Sequence, residues 1–159
     1  MTPTTDERLA SIIRALTEVI LPHLPADASL AQEQVQLAIG HLQILRLQFD
    51  AVPAFEAEEL GDTHALGEEL VGAIDGGPQT AAACSALKAV LAKTDSEVRP
   101  ALSALNRAVE ALVQAVSVDG DRTSKARLAA IILRHERARV EKDRRWFLPY
   151  GFDTMEAAA

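Results

Sequence analysis

The chain has little cysteine, few aromatic residues and no long apolar run. Its single cysteine, Cys84, excludes an intramolecular disulfide and a cysteine-ligated zinc cluster, and a lone thiol is typical of a reducing compartment. The chain contains no stretch of about 18 apolar residues, and its start, MTPTTDER, lacks the features of a signal peptide. We therefore expect a cytoplasmic protein that does not enter a membrane.

Sequence motifs of catalysis are also missing. There is no glycine-rich phosphate-binding loop, and Ser11, Ser85 and Ser103 fall on predicted helices rather than on the strand-to-helix turn that exposes a nucleophile. No cofactor is predicted, and the absence of these motifs favours a non-catalytic role.

Charge is distributed unevenly along the chain. The net charge is −7, but residues 1–121 carry 7 basic against 18 acidic groups, whereas residues 122–146 carry 9 against 3. The acidic body would repel a polyanion such as DNA, so nucleic-acid binding is disfavoured. The simpler expectation is that the acidic segment between Glu56 and Asp75 docks on the basic last helix.

Apolar residues recur at helical spacing along the whole chain, and no segment alternates as a strand does. The pattern predicts six helices, at about residues 6–21, 29–51, 54–74, 80–93, 97–116 and 123–146. The short connections favour antiparallel neighbours, and 159 residues suit one core. We therefore expect an all-α fold, an up-and-down antiparallel bundle of about six helices forming a single domain over residues 1–159.

Capping residues mark several of the predicted helix ends. Thr4 and Glu7 have the spacing of a capping box. Ser29 is a candidate N-cap of the second helix, and Ser96 of the fifth.

The second predicted helix is apolar on two sides. At 100° per residue its apolar side chains form a broad face and a second, narrower face: Val35, Ala38, Ile39, Leu42, Leu45 and Phe49, then Leu30, Leu37, Ile44 and Leu47. A helix of this kind is expected to be central, surrounded by other helices or covered by a second subunit on the side left bare. A homodimer is therefore expected.

Cationic residues interrupt two of the apolar faces. Arg46 projects into the broad face of the second helix, and His135 and Arg139 continue the inward face of the last helix. One interpretation is a pocket in which Arg46, His135 and Arg139 bind an anionic ligand through its phosphate or carboxylate. The other is structural: Arg46 forms an ion pair or reaches the bundle's edge, and the last helix pairs with acids of its own and of the third helix.

Three histidines, His41, His64 and His135, lie on or beside inward faces near the middle of their helices. They allow two interpretations, a three-histidine zinc site or buried histidines satisfied by hydrogen bonds. The Glu-x-x-His repeats of di-iron bundles and the His-x-x-x-His pair of zinc sites do not occur in the sequence. We predict no metal, with the three-histidine site as the alternative.

Four of the six aromatic residues lie in a C-terminal tail over residues 146–159: Trp146, Phe147, Tyr150 and Phe152. Pro149 and Gly151 are expected to end the helix there. Because each buried aromatic removes roughly 150–250 Å² from water, the tail is predicted to fold back and seal the bundle. The alternative is a contact with a second subunit or a partner protein, since aromatics beside arginines are common in interfaces.

One stretch supports a family resemblance. EVILPHLPADASLAQEQVQLAIGHLQIL, Glu18 to Leu45, resembles the opening of small uncharacterised bacterial helical proteins in which a helix ending in Leu-Pro leads into a second helix. Some of those proteins are associated with phosphotransferase-like or acyl-CoA-handling enzymes. The resemblance implies an accessory role and supplies no catalytic positions.

These features favour a non-catalytic accessory or protein-interaction bundle. The alternative is a protein, or an enzyme without a recognisable motif, that binds a small anionic ligand through Arg46, His135 and Arg139.

Overall fold

The computed structural model describes residues 3–93 and 97–147. Across these residues it contains six α-helices and no strand, which confirms the all-α prediction: α1 (Thr5–Arg14), α2 (Ser29–Gln48), α3 (Val52–Ala73), α4 (Pro78–Leu91), α5 (Val98–Asp119) and α6 (Arg122–Phe147). Within the described ranges, no helix has the length and hydrophobicity needed to span a membrane.

The chain divides into two compact units, Met1–Pro53 and Ala54–Ala159. The first unit contains α1 and α2, and the second contains α4, α5, α6 and all but the first two residues of α3. The expectation of a single domain over residues 1–159 stays a prediction.

The first unit is a helical hairpin. Its first helix starts with the predicted capping box, in which the Thr4 hydroxyl accepts the Glu7 N–H (3.2 Å) and the Glu7 carboxylate accepts the Thr4 N–H (2.7 Å). The helix continues as a π-helical segment, Ala15–Ile20, and a 3-10 turn, Leu21–His23. Asp6 near the start of α1 pairs with Arg46 near the end of α2, so the two helices run antiparallel.

One expectation about the second helix is wrong: Ser29 is the first residue of α2 rather than its N-cap, a position that Ala28 holds without a side-chain hydrogen bond. Helices of the same chain do not surround α2 either, because none of its residues is buried. The alternative, that a second subunit covers it, stays a prediction. The predicted cap at Ser96 lies outside the described residues, and Glu97 is the N-cap of α5.

Successive helices of the second unit run antiparallel. The His64 ring on α3 is 3.3 Å from the Leu91 carbonyl at the end of α4. The Gly77 N–H before α4 donates to the Asp119 carbonyl at the end of α5 (3.2 Å). Together with the contacts between α3 and α6 described below, these contacts agree with the predicted up-and-down order.

All residues that the structure describes as buried belong to the second unit. The core is an aliphatic cluster to which all four helices contribute, together with Ile74 directly after α3. Its residues are Leu66, Leu70, Ile74, Leu87, Leu105, Leu112, Val116, Leu128 and Ile131. Burying each such side chain stabilises the fold by about 1.5–3 kcal/mol relative to leaving it in water. The second unit therefore has its own hydrophobic core.

The start of α4 is held by a side chain from α5. The Asp119 carboxylate accepts hydrogen bonds from the Gln79 N–H (2.6 Å), the Thr80 N–H (3.1 Å) and the Thr80 hydroxyl. Thr80 is completely buried. The hydrogen bond from the Thr80 hydroxyl is the main cause that lowers the pKa of Asp119. Asp119 thus caps a helix about 40 residues away in the sequence.

Candidate functional site

The surface where α3 faces α6 gathers charged and aromatic side chains of the second unit, together with the core residue Leu66. On α3 they recur at spacings of three and four residues: Phe55, Glu59, Asp62, Leu66 and Glu69. On α6 they recur in the same way: His135, Arg139, Lys142 and Trp146. Because the two helices run antiparallel, each row meets the other along its length. We call this surface the α3–α6 seam.

Ion pairs join three acidic residues of α3 to α6 along the seam. The Glu69 carboxylate accepts hydrogen bonds from Arg134, and its Oε2 is 2.9 Å from Nε2 of His135. Lys142 Nζ donates to Asp62 Oδ2 (2.6 Å). A third ion pair joins Arg139 to Glu59, which lies one turn before Asp62 on α3, with 3.9 Å between Arg139 Nη2 and a Glu59 oxygen. The expected docking of the acidic third helix on the basic last helix is confirmed.

Hydrogen bonds fix the charge state of the carboxylate at one end of the seam. The bond from Arg134, followed by that from His135, lowers the pKa of Glu69. Glu69 is therefore ionised at neutral pH, and it holds two donors of α6 at once.

A cleft of about 150 Å³ opens along the seam. Leu66 and Leu102 contribute its apolar wall, and its charged rim contains three carboxylates and two permanent cations: Glu59, Asp62, Glu136, Arg139 and Lys142. Ligand pockets for drug-sized molecules usually measure about 300–1,000 Å³, so this cleft suits only a few heavy atoms. Its carboxylates outnumber its permanent cations, which weakens the case for an anionic ligand.

The structure brings together two of the three residues predicted to bind an anion. His135 and Arg139 both line the cleft. Arg46 belongs to the first unit, where its Nη2 donates to Asp6 (3.0 Å) and lowers the pKa of that carboxyl group. The ion-pair interpretation of Arg46 is thus confirmed, whereas a pocket built from all three residues stays a prediction.

The three histidines of the alternative zinc site differ in the unit they belong to or in the residue they contact. His41 belongs to the first unit and His64 and His135 to the second. His64 contacts the Leu91 carbonyl, and His135 contacts Glu69. Within residues 3–93 and 97–147, no group of three or more His, Cys, Asp or Glu side chains is arranged to hold a metal ion. Hydrogen bonding accounts for the placement of His64 and His135.

The first residues of the aromatic tail continue α6. The ring centroid of Trp146 is 4.4 Å from that of Phe55 at the start of α3, and Lys142 Nζ lies 5.0 Å from the Phe55 centroid. Trp146 therefore packs on its own chain at the end of the seam. Phe147 is the last residue of α6. Tyr150 and Phe152 lie outside the described residues, so the latch and its alternatives stay predictions.

A second candidate site is the apolar surface of the first unit. Eight of the twelve large hydrophobic residues found exposed in the described part of the chain lie there, with 44–69% of their surface exposed: Ile12, Val19, Ile20, Leu30, Leu37, Leu45, Leu47 and Phe49. We call these eight residues the hairpin surface. The described residues of the first unit include none that is buried. This unit therefore leaves in water the side chains that would otherwise build a core.

Sequence reasoning missed the individual partners on α3. It expected the acids of this segment to meet α6 but did not single out Glu59, Asp62 or Glu69. These acids are three and seven residues apart, which places them on the same face of α3 as Phe55. The sequence could have identified them, because α6 carries a row of cationic and aromatic residues with similar spacing. Leu102, from α5, has no comparable signal, because its approach to the cleft depends on how the helices pack.

Comparisons with known proteins do not assign the chain to a family. No protein-family model matches it, and neither curated proteins nor solved structures give a significant match. Its function is therefore inferred from the two surfaces described above, the α3–α6 seam and the hairpin surface.

Proposed function

We propose that the protein is a non-catalytic interaction protein that works as a homodimer paired through the hairpin surface. The observation that supports this most strongly is the contrast between the two units. The second has its own core, whereas the first exposes eight large apolar side chains and buries none of its described residues. Helices gain most of their stability by packing an apolar face, so the hairpin needs an additional packing surface.

The size of the hairpin surface fits a second copy of the chain. Two antiparallel hairpins that pack face to face make a four-helix arrangement around a twofold axis, in which each copy uses the same residues. At roughly half exposure each, the eight side chains offer on the order of 500 Å² of apolar area per copy. A standard interface buries about 800 Å² per partner, of which about 65% is apolar in homodimers. The two areas are of the same order, and because those of the eight residues that belong to α2 lie on both of its apolar sides, one flat contact covers only part of them.

In this proposal the dimer is a cytoplasmic accessory protein. The lone, half-buried cysteine and the Glu18–Leu45 resemblance to helical proteins found beside phosphotransferase-like or acyl-CoA-handling enzymes support that setting. The second unit would then carry the contacts with the partner enzyme. Neither membrane insertion nor nucleic-acid binding is part of the proposal.

Paired charge substitutions test the dimer. Leu37→Glu with Leu47→Glu places two carboxylates in the hairpin surface, and Ala82→Glu with Ala89→Glu adds the same charge at exposed positions of α4 in the second unit. Light scattering on the full chain should give twice the chain mass of 17.1 kDa for the wild type and the alanine variant. The leucine variant should give the monomer mass. A wild type that stays monomeric at all concentrations refutes the proposal.

The tail is the proposed second contact with a partner protein. Trp146 already packs on Phe55, so the tail residues proposed to contact the partner are Phe147, Tyr150 and Phe152. Removing residues 148–159 should leave the dimer mass and the helix content unchanged but abolish capture of the partner enzyme from the native host. Unchanged capture would contradict a role of the tail in binding.

A small-molecule function is the second candidate, because His135 and Arg139 line one cleft. A thermal-shift screen with inorganic phosphate, phosphorylated metabolites and CoA compounds tests it on the full chain. A specific ligand should raise Tm in the wild type and in Arg107→Gln, a control outside the cleft, but not in Arg139→Gln. If no compound raises Tm, both forms of this candidate fail, the binding protein and the enzyme without a recognisable motif.

A further inference from the structure

The outer side of α6 carries a second regular pattern, distinct from the seam. Leu133, Val140 and Phe147 are seven residues apart, and Arg137 and Arg144 lie between them on the same side. At 100° per residue these five side chains fall within a sector of about 80°. We call them the outer strip. It points away from the core, since buried Ile131 projects about 160° from Leu133.

The strip is exposed although it contains three large apolar side chains. Leu133 is 58% exposed, Val140 51% and Phe147 42%. Arg137 is exposed as well, and the Arg144 side chain is 47% exposed. A row of apolar residues at heptad spacing over about 21 Å is the pattern by which one helix packs along another.

The charges of the strip define the partner that fits it. Both intervening residues are arginines, and no carboxylate lies within the sector that the strip occupies. Glu141 stands at its edge, 3.9 Å from Arg144. Of the other cations in this half of α6, Arg134, Arg139 and Lys142 face acids of α3, and Arg145 projects about 120° from Leu133, outside the strip. The strip therefore complements a helix with aliphatic residues every seventh position and carboxylates between them.

Other anionic partners fit less well. A membrane surface requires a broad continuous apolar face with cations along its borders, whereas here an arginine stands between successive apolar residues and Glu136 and Glu141 flank the row. DNA or RNA supplies phosphates for the two arginines but no aliphatic row to cover Leu133, Val140 and Phe147. A helix of alternating aliphatic and acidic character can match both components of the strip.

From this arrangement we infer that the outer strip is a docking site for an acidic amphipathic helix of another protein. Leu133, Val140 and Phe147 pack against its aliphatic row, and Arg137 and Arg144 bind its carboxylates. The site is separate from the hairpin surface and does not depend on the proposed dimer.

Two synthetic helical peptides test the inference on the full chain. The acidic probe has leucine at every seventh position, glutamate beside it and alanine elsewhere, and the basic probe has lysine in place of glutamate. In fluorescence anisotropy the acidic probe should bind the wild type at least tenfold more tightly than the basic probe. Arg137→Glu with Arg144→Glu should reverse that preference.

A matched variant separates the strip from bulk charge. Lys125→Glu with Arg127→Glu makes the same change in net charge on the same helix but outside the strip, and it should retain the preference for the acidic probe. Leu37→Glu with Leu47→Glu should retain it too, even as a monomer. Circular dichroism confirms that each variant is helical.

Several outcomes would overturn the inference. Equal binding of the two probes, binding of neither, or an equal loss in both arginine and control variants would do so. A further contradicting result would be that the wild type binds neither peptide but binds vesicles of phosphatidylserine and phosphatidylcholine, and that Arg137→Glu with Arg144→Glu abolishes the vesicle binding. That last result would assign the strip to a membrane surface.

Discussion

Asp119 is the residue whose side chain joins two helices of the second unit. It accepts two backbone N–H groups at the start of α4 and the hydroxyl of Thr80, which has no access to water. Removing this carboxylate leaves a buried hydroxyl and two helix-end donors without their acceptor. Such losses are among the more costly consequences of a single substitution.

Asp119→Ala is therefore expected to lower Tm by about 5 °C or more. Differential scanning calorimetry of the full chain measures it. Glu58→Ala, an exposed change on α3, serves as the control and should leave Tm within about 1 °C. A variant at Asp119 that unfolds at the wild-type temperature would show that the cap contributes nothing.

The pH dependence of stability follows from lowered pKa values. Asp119 and Glu69 both have pKa values below their ordinary 3.8 and 4.5 in the folded chain. A carboxyl group of this kind stabilises the fold fully above its unfolded pKa, and the stabilisation is lost as pH falls through the folded value. Tm should be nearly constant from about pH 7 to 5 and fall below about pH 4.

The double variant Asp119→Asn with Glu69→Gln provides the comparison for that titration. Its Tm should be lower than that of the wild type at pH 7, and the difference should shrink as the solution is acidified towards pH 3. A constant difference across the range would mean that these two carboxylates do not contribute to the acid sensitivity.

Among the helices, α3 has a glycine, Gly67, where side chains of α4 approach its backbone. A Cβ added at Gly67 would be 3.0 Å from one methyl group of Leu91 and 3.5 Å from Leu87, whereas one added at Gly61 on the same helix meets nothing within 4 Å. Gly61→Ala should stabilise the chain by about 0.5–1 kcal/mol, since alanine is the better helix former.

Gly67→Val should instead destabilise the chain by about 1–3 kcal/mol, because the added methyl groups overpack the contact with α4. Urea denaturation followed by circular dichroism compares the two variants under one condition. If both changes raised or both lowered the free energy of unfolding, the close approach at Gly67 would not be the controlling feature.

The sequence pattern predicted that the six helices exist, but it did not predict where some of them begin. The capping box at Thr4 is local and was found from spacing alone. The start of α2 depends on the turn before it, where the Pro25 carbonyl accepts both the Ala28 N–H and the Gln32 side chain. Asp119 lies far from the helix it caps, so no local pattern indicates it.

Across the whole molecule, charge was the more reliable guide to packing and hydrophobic pattern the less reliable. The uneven distribution of acids and bases correctly indicated that α6 docks on α3. The two apolar sides of α2 indicated a central helix, but such a pattern does not specify what covers them. In the structure the described residues of the first unit stay unburied, which leaves a second copy as the proposed cover.

The central claim is that the hairpin lacks a core of its own and obtains one from a second chain. Hydrogen exchange of backbone amides, measured over a wide range of protein concentration, tests it most directly. Amides of α1 and α2 should exchange rapidly in dilute solution and become protected as concentration rises, while those of α3 to α6 keep constant rates. Protection of α1 and α2 that is independent of concentration, at the level of the second unit, would contradict the claim.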